Sequence, residues 1–269
     1  MLHVSLAVFA CASVLPFYWL VCGAFQRGDG VLSFRLAPWL EPSSLTLDNF
    51  RALLHETPFA RWLFNSIFLA SAHTVLVVGL SSIGGFALAK YEFRGKRLLM
   101  LVMLLTMLVP SQVILPGLYE LIWRIRWVDT YAAILVPGAV SVFGMFLFRQ
   151  AMLSVPDELL DAARVDGSSE LRLWWSVVLP VVRPMTGAFT LMSFLASWNS
   201  FLWPQVVLQD EQKYTLPIGL ANLMGLPEHQ AHLGLLMAGT LLGVLPVIAL
   251  FAALQRDFVG GLASGAVKG

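Results

Sequence analysis

Six apolar runs, almost free of Asp, Glu, Lys and Arg, occupy this chain. They fall near 4–25, 64–89, 98–122, 131–149, 183–207 and 233–254. An α-helix rises about 1.5 Å per residue, so roughly twenty residues cross the ~30 Å hydrocarbon core of a bilayer. Lipid offers no partner to a peptide N–H or C=O, so a crossing segment must bond within itself as a helix. The expected fold class is an all-α integral membrane protein with six transmembrane helices. The fourth run is the weakest, because Pro137 and Gly138 interrupt it. Charged residues make up only 12% of the chain, about half the share of a soluble domain, which argues against a globular fold. Six spans take up about half of the residues and leave no room for a separate globular domain. Residues 1–269 are therefore expected to form one transmembrane domain.

The first run is not expected to be a cleaved signal peptide. No basic residue precedes it, and it continues past Ala10-Cys11-Ala12 to Val21 without a polar break. With no Lys or Arg ahead of that span, the expectation is that the true start lies upstream. Cys11 and Cys22 are eleven residues apart, about 16 Å along one helix, too far for a disulfide. No Cys/His spacing suits a metal, and no cofactor is expected. A net charge of +1 gives no reason to expect nucleic acid.

The loops set the orientation. Lys90-Tyr-Glu-Phe-Arg94-Gly-Lys96-Arg97 holds four positive charges in eight residues, which by the positive-inside rule marks it as cytoplasmic. Alternating from it places 26–63, 123–130 and 208–232 outside, with 150–182 and both termini inside. Trp39, Phe59 and Trp62 suit the membrane–water boundary. Thr46 can cap a short helix with Asp48 in its first turn. Residues 208–232, with Pro217, Gly219, Gly225 and Pro227, read as a compact loop. Gly260 and Gly261 permit a sharp turn after the sixth span.

Polar groups at membrane depth are few. Thr106, Ser111 and Gln112 sit beside Pro110 and Pro116. Ser197-Trp198-Asn199-Ser200 stands near the outer end of the fifth span, before Trp203-Pro204, and Asn65-Ser66 at the outer edge of the second. Amide hydrogen bonds beside flat aromatic faces are what a sugar path would use. Gln112, Trp198 and Asn199 are the candidates for that path. Ties between helices and interfacial anchoring are the alternative. His73 is the only candidate base within the spans, with no Asp or Cys placed to pair with it, so an intramembrane enzyme is disfavoured and no catalytic residue is expected. A secondary transporter would need ionisable groups along the spans, and none is convincing.

The polar stretch from Ser154 to Pro180 is built as two short helices around a turn. Pro156 suits a first helical position, Asp157 and Glu158 face the positive end of the helix dipole, and Gly167 stands where a C-cap would. Leu159, Leu160 and Ala163 give an apolar stripe, and the Ala162-Ala163 pair leaves a flat surface for another protein.

Asp161-Ala162-Ala163, then Gly167, then Val177-x-Leu179-Pro180 resembles the EAA loop of ABC importer permeases, with Asp166 next to Gly167 also fitting. The family usually has Glu at the position of Asp161. Asn49-Phe50, Asn65-Ser66, Phe93-Arg94-Gly95-Lys96, Asp129-Thr130, Trp198-Asn199, Thr215-Leu216-Pro217 and the Gly261-to-Gly269 ending resemble the maltose-type second permease subunit of the carbohydrate-uptake branch. The resemblance implies a type I ABC importer permease fold in the cell membrane, with a cytoplasmic coupling helix between spans 4 and 5. It implies that Glu158, Asp161, Ala162, Ala163, Asp166 and Gly167 meet an ATPase. It further implies a heterodimer with a second permease, two cytoplasmic ATPases, an external solute-binding protein and a sugar substrate, with ATP hydrolysed by the partners. The chain has no G-x-x-x-x-G-K-[ST] loop of its own. A glycerol-phosphate or polyol importer is the nearest alternative. Phosphate would call for Arg or Lys along the path, and the spans offer none but Arg149 and Arg183 at their cytoplasmic ends.

The orientation has a direct check. In a chain lacking Cys11 and Cys22, single cysteines at Arg94 and Gln212 are expected to react with an impermeant thiol reagent from opposite sides. Position 94 should react only after the membrane is permeabilised.

Overall fold

The computed structural model describes residues 2–26, 45–224 and 229–266, and among these the regular structure is helical. Expectations for Trp39 and for residues 225–228 and 267–269 lie outside the described residues. Fourteen helices follow in order: α1 (Leu2–Phe25), α2 (Asp48–Glu56), α3 (Phe59–Lys90), α4 (Lys96–Thr106), α5 (Ser111–Arg124), α6 (Ala132–Leu135), α7 (Val142–Met152), α8 (Asp157–Val165), α9 (Glu170–Leu173), α10 (Leu179–Val181), α11 (Arg183–Trp198), α12 (Leu202–Val207), α13 (Leu216–Met224) and α14 (His229–Ala266). A π-turn, Trp174–Val178, joins α9 to α10.

Three of the expected spans are continuous helices long and apolar enough to cross a membrane, at Val8–Phe25, Phe59–Lys90 and Leu233–Gln255. The other three runs are broken into shorter helices, the fourth at the Pro137-Gly138 interruption noted above. The run 98–122 bends by 98° between α4 and α5, where Pro110 cannot donate to a helical ladder and takes extended geometry, ψ 131°. The run 131–149 splits into the four-residue α6 and the eleven-residue α7 around Pro137-Gly138. The run 183–207 ends its first helix at Trp198 and resumes at Leu202. Glu170–Val181 meets α11 at 90°. Counting each bent pair as one span gives five.

The breaks are bonded internally. The buried Ser81 hydroxyl accepts from Ser141 N–H at 3.0 Å and donates to Ser141 C=O at 3.2 Å, and the Ser141 hydroxyl caps α7 by accepting from Gly144 N–H at 3.0 Å. Such irregular backbone persists in a membrane protein only where protein covers it.

The chain packs as two units. One holds residues 1–66 and 208–248. In it the Asn49 amide donates to Ala24 C=O at 3.0 Å and Gln26 C=O at 2.7 Å, and the Phe25 and Phe50 rings meet at 4.9 Å. Thr46 accepts from Asp48 N–H as expected, one position ahead of the Leu47 cap. Helix α13 corrects the loop reading of 208–232. Pro217 stands in its first turn, where its missing N–H has no helical partner to lose, and Gly219 is a seat for the Trp62 ring. Helix α14 likewise runs on through Gly260 and Gly261, where a turn was expected.

The second unit holds residues 67–207 and 249–269. Its core joins Val77, Phe86, Phe148, Met152, Val155, Leu160, Leu173, Val178, Val182 and Phe189. Small residues let the helices approach: a Cβ on Gly144 would lie 2.3 Å from the Phe189 ring. Cys11 and Cys22 are free thiols, the first exposed and the second buried.

The Trp62 seat gives a prediction. A Cβ on Gly219 would lie 2.2 Å from the ring of Trp62, which is 1% exposed and hemmed in. Gly219→Ala is expected to lower the thermal midpoint of the detergent-purified chain, as overpacking worth about 1–3 kcal/mol would. Gly79→Ala, whose Cβ meets nothing within 4 Å, should leave the midpoint equal or higher.

Candidate functional site

The 154–180 stretch folds as a capped hairpin. Helix α8 begins after Pro156, whose ψ of 137° makes it the residue before the helix and not its first member. Asp157 and Glu158 fill the first turn and Arg164 the last, matching the dipole at both ends. Gly167 has φ +81°, the left-handed geometry that glycine adopts most easily. Its N–H donates to Arg164 C=O at 2.9 Å, and Ser168 N–H donates to Ala163 C=O at 3.0 Å. That pair of bonds is the Schellman motif, which satisfies the last carbonyls and turns the chain into α9.

Helix α8 has two faces. Leu160 is 1% exposed and Ala163 is half-buried, both packed on the core of the unit. Glu158, Asp161, Ala162, Val165, Asp166 and Gly167 are exposed, Val165 at 88%. The Ala162-Ala163 pair therefore does not form one outward patch. Adjacent helical residues are 100° apart, so when Ala163 turns inward with Leu160, Ala162 faces out. The outward face is a small alanine and a bare valine between carboxylates.

Ion pairs surround the hairpin. The Arg164 guanidinium donates to Asp161 Oδ1 at 2.9 Å and to Glu170 Oε1 at 2.9 Å. Tyr91 O–H donates to Glu170 Oε2. The arginine, and next the tyrosine hydroxyl, hold the Glu170 carboxyl below the usual carboxylate range. Partial burial and the adjoining Glu170 push the Tyr91 phenol up, so it remains a neutral donor. Lys90 Nζ donates to Val155 C=O at 2.5 Å and to Asp157 Oδ1 at 2.6 Å. The basic 90–97 loop and the hairpin thus share one end of the second unit, a juxtaposition that separate sequence arguments had assigned to one side of the membrane.

The proposed path residues are scattered by role. Gln112 is exposed in the first turn of α5, its amide oxygen accepting from Ser111 O–H at 3.4 Å. Trp198 is 7% exposed and stacks on Phe194, rings 5.6 Å apart and 16° from parallel. Asn199 follows the last residue of α11, exposed, with its amide donating to Leu195 C=O at 2.9 Å. Asn65 and Ser66 are a clasp: the Asn65 amide donates to Gln212 C=O at 2.8 Å and Tyr214 C=O at 3.0 Å, and Ser66 accepts from Leu216 N–H at 2.7 Å. Trp62 adds a bond to Glu211 C=O at 3.0 Å. Arg164, Glu170, Lys90 and Tyr91 were not picked out as site residues. The three-residue spacing of Asp161 and Arg164 was a readable signal, whereas the partners of Lys90 and Tyr91 lie more than sixty residues away.

Apolar helices, three of them long enough to cross a membrane, with a capped polar hairpin between α7 and α11, are the frame of a membrane-embedded protein. Residues 78–260 match the family of binding-protein-dependent transport system inner membrane components, and the chain belongs to that family. It is the permease of an ABC importer, a multi-pass inner-membrane subunit that works with a partner permease, separate ATPases and a solute-binding protein. It is 35% identical to the arabinooligosaccharides transport system permease protein AraQ of Halalkalibacterium halodurans, over 100% of this chain and 96% of that protein. It is 30% identical to the maltodextrin transport system permease protein MdxG of Bacillus subtilis, over 99% and 95%. Its fold is shared, at TM-score 0.84 and 24% identity over 95% of this chain and 94% of the other, with a chain of a bacterial ABC transporter involved in the import of the acidic polysaccharide alginate.

Proposed function

We propose that this chain is one half of a heterodimeric permease that admits a sugar or oligosaccharide, with two ATPases docked in the cytoplasm, an external binding protein, and both termini in the cytoplasm. Residues 1–269 act as one transmembrane permease domain. Hairpin α8–α9 is the ATPase-docking element, and the outward face of α8 is the observation that carries this. It sets an exposed Ala162 and Val165 between Glu158, Asp161 and Asp166, on a helix whose opposite face is buried. An alanine lets a partner backbone come close, and the carboxylates fit a basic groove. Ala163 and Gly167 act from behind, one by packing the helix and the other by ending it. The relatives named for arabinooligosaccharides and maltodextrin support a carbohydrate. Gln112 and Asn199 are the amides exposed to a solute, with Trp198 stacked behind Asn199's helix end.

Gly167 tests the docking. Nothing lies within 4 Å of a Cβ there, so a substitution acts through the backbone alone. Left-handed geometry costs an L residue roughly 1–2 kcal/mol, more when β-branched, and Asn least. In the complex reconstituted with partner permease, ATPases and binding protein, Gly167→Val is expected to lose most binding-protein-stimulated ATP hydrolysis. Gly167→Asn should keep most of it. Full stimulation in Gly167→Val would remove the docking role.

Asn199 tests the path. Asn199→Ala is expected to lower uptake several-fold, because a lost hydrogen bond is worth about 0.5–1.5 kcal/mol. Uptake is measured against concentration of the sugar that the purified binding protein selects, per folded complex. An unchanged curve with a lower thermal midpoint would make Asn199 a helix-end tie only. A binding protein that selects glycerol phosphate would overturn the carbohydrate reading.

A further inference from the structure

Lys90 and Tyr91, at the inner end of the 32-residue helix α3, belong to no part of the docking face described above. Lys90 is withdrawn from water, its side chain only 5% exposed, while Asp157 opposite is 76% exposed. Its ammonium spends its hydrogen bonds on the carbonyl of Val155 and the carboxylate of Asp157, just before and at the first residue of α8. An exposed ion pair contributes little, but a desolvated charge that loses its partner is strongly penalised. Helix α8 therefore cannot leave the end of α3 without stranding Lys90.

Tyr91 makes the second attachment. Its hydroxyl reaches Glu170, the first residue of α9, and Arg164 closes from Glu170 back to Asp161. Lys96 Nζ donates to Tyr91 C=O at 2.9 Å and to Glu92 Oε1 at 2.7 Å, which fixes the backbone carrying the phenol. Consecutive residues of one helix end thus grip the two limbs of the hairpin separately. A hairpin held at one point can pivot, and one held at two points turns with the helix that holds it.

We propose that Lys90 and Tyr91 are positioning residues that make the inner end of α3 and the docking hairpin move as one body, so that displacement of the span reaches the ATPase. The proposal rests on the docking reading of α8.

The test uses the whole complex in liposomes, with partner permease, ATPases and binding protein present. The readout is the ratio of binding-protein-stimulated to basal ATP hydrolysis, with uptake per ATP beside it. The double variant Lys90→Met, Tyr91→Phe is expected to co-purify with the ATPases and keep basal hydrolysis within about twofold, with the ratio reduced at least fivefold. Lys90→Arg alone should keep the ratio, because a guanidinium can bond a carbonyl and a carboxylate together. A purely structural role would scale basal and stimulated rates down equally, and an unchanged ratio overturns the proposal. If the double variant fails to assemble, Tyr91→Phe alone, which removes one oxygen, is read by the same ratio. A ratio lost in Gly167→Val but intact in the double variant removes the latch and leaves docking standing. A ratio intact in both removes docking and the latch together.

Discussion

A peptide group in lipid has nothing to bond except its own protein, and this requirement governs each interruption in the chain. Where α4 stops, Met107, Leu108 and Val109 N–H groups turn back onto Leu104, Leu105 and Thr106 in tighter i→i+3 bonds before Pro110 redirects the backbone. Between α6 and α7 the buried Ser81 supplies both the donor and the acceptor that Ser141 lacks. Beyond α5, Asp129 in left-handed geometry donates to Val207 C=O at 2.9 Å, and Trp203 donates to Ala133 C=O at the same distance. The bends are possible because serines, tryptophans and turns have been set beside them. Gln112 stands exposed in the opening turn of α5, and Asn199 stands exposed just past the end of α11.

Much of the fold class was legible because its signal is long and redundant. Twenty apolar residues in a row can do little else than cross a bilayer, and α1, α3 and α14 follow the runs that announced them. What sequence could not supply was continuity. Pro137-Gly138 was visible as a weakness, yet whether it kinks a helix or splits it depends on Ser81, some sixty residues earlier. Helix α13 was hidden for the opposite reason. Proline and glycine usually punctuate loops, but here Pro217 opens a helix and Gly219 admits an indole, and that depends on Trp62 lying close by.

The hairpin shows the same division at finer scale. Gly167 was legible as a cap because left-handed backbone leaves few choices of residue, and the φ of +81° with its two closing bonds follows. The flat Ala162-Ala163 surface was misjudged because residue type says nothing about helical phase. That phase is set by Leu160 seeking the core. Asn65 and Ser66, weighed as path residues, proved to be committed to the carbonyls and the N–H of 212–216. An amide at membrane depth reads alike whether it serves a solute or a neighbouring strand of chain.

The π-turn Trp174–Val178 has a consequence for descent. Each i→i+5 turn takes up one residue more than the α-helix around it, and its wider winding absorbs that residue locally, so the helix faces on either side stay close to the register they would have without it. The turn lies between the hairpin and the 90° bend into α11. Losing one residue from 174–178 would let the segment wind as ordinary α-helix with little change in where the hairpin points. The same loss inside α11 would turn one side of that helix by about 100° against its packing. The turn is thus the place where this segment's length has slack.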